Sequence, residues 1–323
     1  MPRSLISRVA SPALLRAAFA RVQGNGGAPG VDGVSVQAFS SRVDREIASL
    51  SHALQRRYYR SLPLLRVAIP KSSGGERHLA IPTVRDRVAQ AAVYLATWKR
   101  FDREFESCSY GYRRSRSVRS AIERVRELRD QGFRWVVDAD IVGYFDNIPH
   151  AALLTRVERL QLGPAIEGLF RQWIAVEVYD GVRLTRLAAG VPQGSVVSPM
   201  MANLYLDQLD ERLLHYALAV VRYADDFVIL CRDEGTALDA RELTEETLAA
   251  LGLQLHPGKT RIRTFREGFR FLGATFMERG VYYALRPMAE RETRRGATSP
   301  PPLTLRRYLE LKARMCAGQS RQP

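Results

Sequence analysis

Two adjacent carboxylates, Asp225 and Asp226, stand between two apolar runs, Val220-Val221 on one side and Phe227-Val228-Ile229-Leu230 on the other. This pattern predicts two buried strands joined in a hairpin with acids at its tip. Burying unpaired charge costs several kcal/mol, so such a hairpin needs a cation beside it unless the pair is a solvated, Asp-rich turn. A second acidic strand argues for the cation. The run Arg134-Trp-Val-Val-Asp-Ala-Asp-Ile-Val-Gly-Tyr-Phe-Asp146 is again apolar and leads into Asp138 and Asp140. These two share a strand face by the two-residue period. Asp146 is expected to cap a helix that starts near Pro149.

Carboxylates from separate strands are hard oxygen ligands of the kind magnesium prefers, and that cation keeps waters while accepting phosphate oxygens. Two such ions can stabilise the attacking and leaving oxygens when a 3′-hydroxyl displaces pyrophosphate from a nucleotide. Asp225 and Asp226, with either Asp140 or its rival Asp138, are therefore candidate catalytic and metal-binding residues. Between the acids lies Gly190-Val-Pro-Gln193-Gly194-Ser-Val-Val-Ser198-Pro199, followed by Met201, Leu204, Tyr205, Leu209, Leu213 and Tyr216 at helical spacing. This predicts a loop feeding a helix, with Ser198 as N-cap and Pro199 in the first position. Gly194 would let a ligand approach the backbone.

In their order and spacing these blocks resemble a reverse transcriptase, and closely the bacterial group II intron-like lineage. The resemblance runs from about Gly24 to Phe276. It includes Gly26-Gly-Ala-Pro-Gly-Val-Asp-Gly33, Ile69-Pro-Lys71 with Gly74-Gly-x-Arg77 and Pro82-Thr-Val-Arg-Asp-Arg87, Tyr110-Gly-Tyr-Arg113, the Asp140 strand, the Gln193 to Pro199 loop, Tyr223-Ala-Asp-Asp226, Gly258-Lys259-Thr260 and Phe271-Leu272-Gly273. It implies an α+β, right-hand polymerase fold with fingers and a split βαβ, ferredoxin-like palm. It further implies that Asp140 and Asp225 hold two Mg2+ ions, or Mn2+, with Asp226 supporting. By the same resemblance Lys71, Arg77, Gln193, Gly194 and Lys259 serve the incoming deoxynucleoside triphosphate, and Phe145 lies under its sugar. Tyr223, Ser198, Pro199, Phe271, Leu272 and Gly273 face the RNA template and primer. A viral RNA-dependent RNA polymerase usually has Gly where Ala224 stands and lacks an aromatic at the place of Phe145.

The charge balance agrees with a nucleic-acid partner. Lys and Arg number 49 against 34 Asp and Glu, a formal charge of +15, which suits phosphate backbones. No apolar run is long enough to span a membrane, and no secretory signal is evident. The three cysteines are scattered and form no C-x-x-C pair, as expected of a reduced, cytoplasmic protein without a zinc site. The expected organisation is an N-terminal helical extension over 1–60, fingers over 61–133, a palm over 134–276, and a basic, Pro-rich tail over 277–323 that is a rudimentary thumb or a docking segment. Within these, helices are expected over 36–59, 84–103, 117–130 and 236–250, a hairpin over 64–82, and a short basic helix over 303–316. The truncated or absent thumb sets the chain apart from intron proteins of the lineage. The resemblance then points to a CRISPR-associated enzyme partnered by the adaptation integrase and acquiring spacers from RNA. Its alternatives are an antiphage-defence or intron-derived reverse transcriptase, and a non-catalytic RNA-binding protein that keeps the fold.

Overall fold

The structure, a computed structural model, describes residues 4–70, 76–283 and 302–319. Helices α1 (Leu5–Val9) and α2 (Pro12–Asn25) are separated where the Ser11 hydroxyl accepts from the Leu14 N–H and Pro12 takes the first helical position. Helices α3 (Val36–Ser40) and α4 (Val43–Gln55) follow. One continuous helix was expected over 36–59. The chain instead breaks at Ser41 and Arg42, and Phe39 packs against Phe19 with ring centroids 5.1 Å apart while α4 keeps Ile47, Leu50 and Leu54 buried. Strands β1 (Leu64–Pro70) and β2 (Glu76–Ile81) form the expected antiparallel hairpin. Helix α5 (Val84–Glu104) and helix α6 (Val118–Asp130), the latter opened by a Ser117 capping box, match their expected spans closely. Gly132, at φ 94°, closes α6.

Strand β3 (Trp135–Ala139) leads into a short helix α7 (Tyr144–Asn147), then α8 (His150–Arg159) and α9 (Pro164–Ile174). Asp146 sits inside α7 and is exposed, so it does not cap α8. Strands β4 (Glu177–Tyr179) and β5 (Leu184–Arg186) come next. Helix α10 (Ser198–His215), strands β6 (Ala219–Tyr223) and β7 (Asp226–Cys231), helix α11 (Glu234–Ala250) and strand β8 (Arg261–Thr264) complete the acid-bearing region. Three short strands, β9 (Phe269–Phe271), β10 (Ala274–Met277) and β11 (Gly280–Tyr283), and helix α12 (Leu305–Gln319) follow. Among the described residues no helix is long and apolar enough to cross a membrane.

The chain forms two compact units, each discontinuous in sequence: Met1–Lys99, His150–Ser198 and Thr293–Pro323 make one, Arg100–Pro149 and Pro199–Glu292 the other. The sequence boundaries at 60, 133 and 276 were drawn as continuous segments. In the first unit a sheet of order β2-β1-β4-β5 joins the hairpin to β4 by parallel pairing. Its side formed by Leu65, Tyr179 and Leu184 packs with Val31 and with Leu311 of α12. Glu177, 7% exposed, accepts a hydrogen bond from the Tyr308 hydroxyl at 3.1 Å and faces Lys312 Nζ at 3.5 Å. The tail helix is therefore an internal part of this unit. Lys312 is itself half-exposed, so the ion pair alone contributes little. Losing α12 also uncovers the apolar side around Val31, Tyr179 and Leu184 and leaves buried Glu177 without its Tyr308 partner. A chain ending at Gly296 is accordingly expected to unfold at clearly lower urea than the full chain, and an unchanged midpoint would show that α12 adds nothing to the unit.

In the second unit the sheet has order β6-β7-β3-β8, all antiparallel. One face, through Val136, Val221, Val228 and Leu230, packs against Ala121, Ile122, Val125 and Leu128 of α6 and the Phe265, Phe269, Phe271 and Phe276 cluster. Helix α11 packs against β3 and β7. On α10, Asp207 is fully buried and accepts the Glu106 backbone N–H at 3.2 Å. Burial above all, then the nearby Asp210, raises its carboxyl to about 7. The unfolded carboxyl titrates near pH ~3.9, so the folded state holds this proton more tightly. Its contribution to stability is complete at acid pH and is lost as pH rises through about 7. The melting temperature of the wild type should thus fall between about pH 5 and pH 8 by more than that of Asp207→Asn, which keeps the acceptor without the charge; parallel pH profiles would refute this.

Candidate active site

Hydrogen-bonded register decides which acids meet. Tyr223 pairs with Asp226, leaving Ala224 and Asp225 as a two-residue turn between β6 and β7. On the neighbouring strand Asp138 pairs with Val228 of β7 and with Arg261 of β8. Directly opposed residues lie on one face and alternate residues return to it, so Asp138, Asp226 and Tyr223 share a face of the sheet. Asp140 follows immediately after β3, its backbone fixed by the bond from His256 N–H to Asp140 O at 2.7 Å and by the Ile141 to Leu255 bridge. Apolar β3 and β7 place acids at their ends because their middles are committed to the core: Val136, Val137, Phe227, Val228 and Ile229 are buried.

The electrostatics record the crowding. Asp226 is pushed up to about 7, first by burial and then by Asp138, Asp225 and Asp140, with Lys259 opposing. Burial also raises Asp138, which Arg263 and Arg261 draw back. Lys259 Nζ stands 2.8 Å from Asp140 Oδ2. Among the described residues no three His, Cys, Asp or Glu side chains are already grouped around one point as metal ligands. The donor set still suits a hard divalent cation. The carboxylates of Asp138, Asp140 and Asp225 repel that of Asp226, and the lysine in contact with Asp140 is 62% exposed.

Phe145 is half-buried on α7, its ring edge-on to Tyr144 at 5.6 Å, and Tyr144 donates its hydroxyl to Ala202 O. Gly143, left-handed at φ 50°, makes the turn from Asp140 into this helix. Tyr223 is half-buried and lies 6.4 Å from the exposed Tyr112 ring. Phe271 is 1% exposed within the phenylalanine cluster, so its side chain is core; Leu272 and Gly273, at φ 51° and 80°, form the turn beyond it. Positive φ at both central residues gives the tight hairpin geometry, and Gly273 is exposed there.

The remaining candidates belong to the first unit or to its border. Gln193 O accepts the Ala80 N–H at 2.8 Å, so the loop lies along β2 as an added strand would. Gly194, at φ 122°, has no room for a side chain, since a Cβ would meet Ala80 O at 2.8 Å. Its glycine is explained by this close approach. Buried Gln90 accepts from the Ser195 hydroxyl and the Val196 N–H, both at 3.1 Å, and so anchors the loop. Ser198 opens α10, but its buried hydroxyl has no partner among the described residues and does not make the expected cap. Pro199 follows in the first turn. Arg77 lies in β2, paired with Ile69; its side chain, and all of Lys71, fall outside the described residues. Sequence reasoning passed over Gln90, Asn203, Asp210 and Arg222, polar residues in apolar stretches whose burial was the available signal.

A family model described as reverse transcriptase (RNA-dependent DNA polymerase) matches residues 69–276. Protein YkfC of Escherichia coli K12 is 33% identical over 297 residues, covering 79% of this chain and 77% of that protein. The group II intron-encoded protein LtrA of Lactococcus lactis subsp. cremoris is 30% identical over 172 residues, 53% of this chain but 28% of LtrA. Among solved structures, telomerase from Candida albicans superposes with a TM-score of 0.58 at 12% identity, covering 78% of this chain and 50% of the telomerase chain. That likeness is one of fold, a right-hand polymerase.

Proposed function

The chain belongs to the reverse transcriptase family, and from that premise we propose that it extends a primer 3′-hydroxyl with deoxynucleotides on an RNA template. The observation that carries this reading is the register of adjacent strands β3 and β7, which brings Asp140 beside Asp226 with Asp225 in the turn before it, near enough for their charges to raise the Asp226 carboxyl. These three would hold two magnesium or manganese ions, which when bound stabilise the attacking and leaving oxygens of phosphoryl transfer. Asp226, its carboxyl raised to about 7 by burial and its acidic neighbours, supports the other two. Lys259, on the loop before β8, neutralises Asp140 in the absence of substrate and is placed to meet triphosphate oxygens when it releases. Phe145 excludes a 2′-hydroxyl, and the Leu272-Gly273 turn with Tyr223 steadies the primer end. The family resemblance assigns Lys71, Arg77, Gln193 and Gly194 to the incoming nucleotide, the two cations by point charge and forked hydrogen bonds to phosphate.

The pathway is CRISPR adaptation, with the adaptation integrase as partner, on the strength of the motif resemblance; intron-derived and antiphage-defence roles are its competitors. Because α12 is built into the first unit, a tail-truncated chain is a poor probe of that partner, and full-length protein should be used. Primer extension on matched RNA and DNA templates, with deoxynucleotides or ribonucleotides, tests the reading. Longer products on RNA with deoxynucleotides support it, and stable binding without extension would favour a silent RNA-binding protein. Adding the integrase should lengthen products if it is the partner.

A further inference from the structure

Behind the turn that carries Asp225 runs a chain of buried polar contacts that the chemistry does not itself use. Arg222 is wholly buried in β6. Its Nε donates to both oxygens of Asp210 at 2.8 and 2.9 Å, and its Nη2 closes the fork on the same carboxylate. Its Nη1 donates to Asn203 Oδ1 at 3.0 Å and to Ala224 O at 2.9 Å. Asn203 in turn donates to Gly111 O at 2.6 Å. Gly111 abuts the turn so closely that a Cβ there would stand 2.5 Å from Ala224 N. The chain thus grips the turn from inside at the Ala224 carbonyl and supports the backbone wall that touches it from the other side.

What it grips is a strained element. Ala224 has φ 61°, a left-handed conformation that costs a residue with a Cβ about 1 kcal/mol or more. The direction of the Asp225 and Asp226 carboxylates follows from that conformation. We propose that Arg222 is a positioning residue of the polymerase site: through its bond to Ala224 O it holds the turn left-handed and so aims the two acids. The role needs arginine. A lysine could neutralise Asp210, but its single ammonium lacks the planar fork that reaches Asp210, Asn203 and Ala224 together.

This inference rests on the proposed polymerase activity, and its test separates the two. Arg222→Lys and Asn203→Ala would be compared with wild type by circular dichroism, by primer–template binding, by the kcat and KM of extension, and by the rise in melting temperature on adding manganese chloride, which reports cation binding by the folded chain. Arg222→Lys is expected to stay folded, bind primer–template as wild type does, keep KM for the deoxynucleotide, lose about 10²-fold in kcat, the scale of a misplacement near 1 Å, and lose the manganese-induced rise. Placing Ala224→Gly in the same chain should return part of kcat, because glycine adopts the left-handed turn without strain. If Arg222→Lys does not fold, Asn203→Ala carries the test, with a smaller fall in kcat at unchanged KM. A wild-type kcat and manganese response in the folded variant would overturn the positioning role, as would a loss of activity that only tracks the folded fraction. If wild type extends no primer, the polymerase reading falls, while the manganese comparison still decides whether Arg222 aims the acids.

Discussion

Asp225→Ala and Asp140→Ala are each expected to reduce primer extension by about three orders of magnitude or more, with primer–template affinity within about twofold of wild type. The size follows from the chemistry: cation stabilisation of phosphoryl transfer contributes several kcal/mol, and each ~1.4 kcal/mol is tenfold in rate. The unchanged affinity follows from the charge. A chain of net charge +15 binds phosphate backbones through its many Lys and Arg, and removing one acid leaves that field in place. Asp138→Ala separates the rivals on β3, because Asp138 shares the face of Asp226 but pairs across to Arg261. A loss with Asp138→Ala as deep as that with Asp140→Ala would move the ligand assignment. Extension by Asp225→Ala at the wild-type rate would remove the assignment altogether.

Replacing Phe145 by alanine or valine is expected to raise ribonucleotide incorporation relative to deoxynucleotide by about 10²-fold, since a ring packed under the sugar rejects the 2′-hydroxyl by steric exclusion, worth a few kcal/mol. The ring lies edge-on to Tyr144, which is fully buried and tied to Ala202 O, on a helix that begins at the left-handed Gly143. An aromatic with only a packing role would, on truncation, lower stability and leave sugar discrimination as it was. Competition between the two triphosphates at one template position reads the difference directly, and equal selectivity in wild type and variant would end this role for Phe145.

What could be read from the sequence was what short-range pattern encodes. The β6–β7 hairpin and its acids were legible because apolar runs flank a two-residue turn, and α5, α6 and α11 because their apolar spacing and terminal residues agree. The β4–β5 hairpin was missed although Asp180-Gly181 marks its turn, since each strand has three residues and the pair gains its place through the pairing of β4 with β1. The break at Ser41 was hidden because the apolar spacing of Phe39, Val43 and Ile47 continues across it. The pairing of Lys259 with Asp140 joins residues 119 positions apart, and no local signal encodes it. Arg222 read as one more cation of a basic chain; only the fold, by burying Asp210 and Asn203 beside it, makes it the centre of a network. The tail reads in sequence as a basic, Pro-rich docking segment or rudimentary thumb; the fold lays Leu311 of its helix against the chain's own Val31, Tyr179 and Leu184, a contact that no local signal encodes.

The central claim, that these carboxylates run RNA-directed DNA synthesis with bound divalent cations, is tested most directly by following cDNA formation by the full-length wild-type protein on an RNA template. The reaction would be run with chelator, then with magnesium or manganese restored. The account predicts no product in chelator, DNA product complementary to the RNA on restoring either cation, and none from Asp140→Ala under the same conditions. Product formed in chelator, or cation-restored synthesis undiminished in Asp140→Ala, would contradict it.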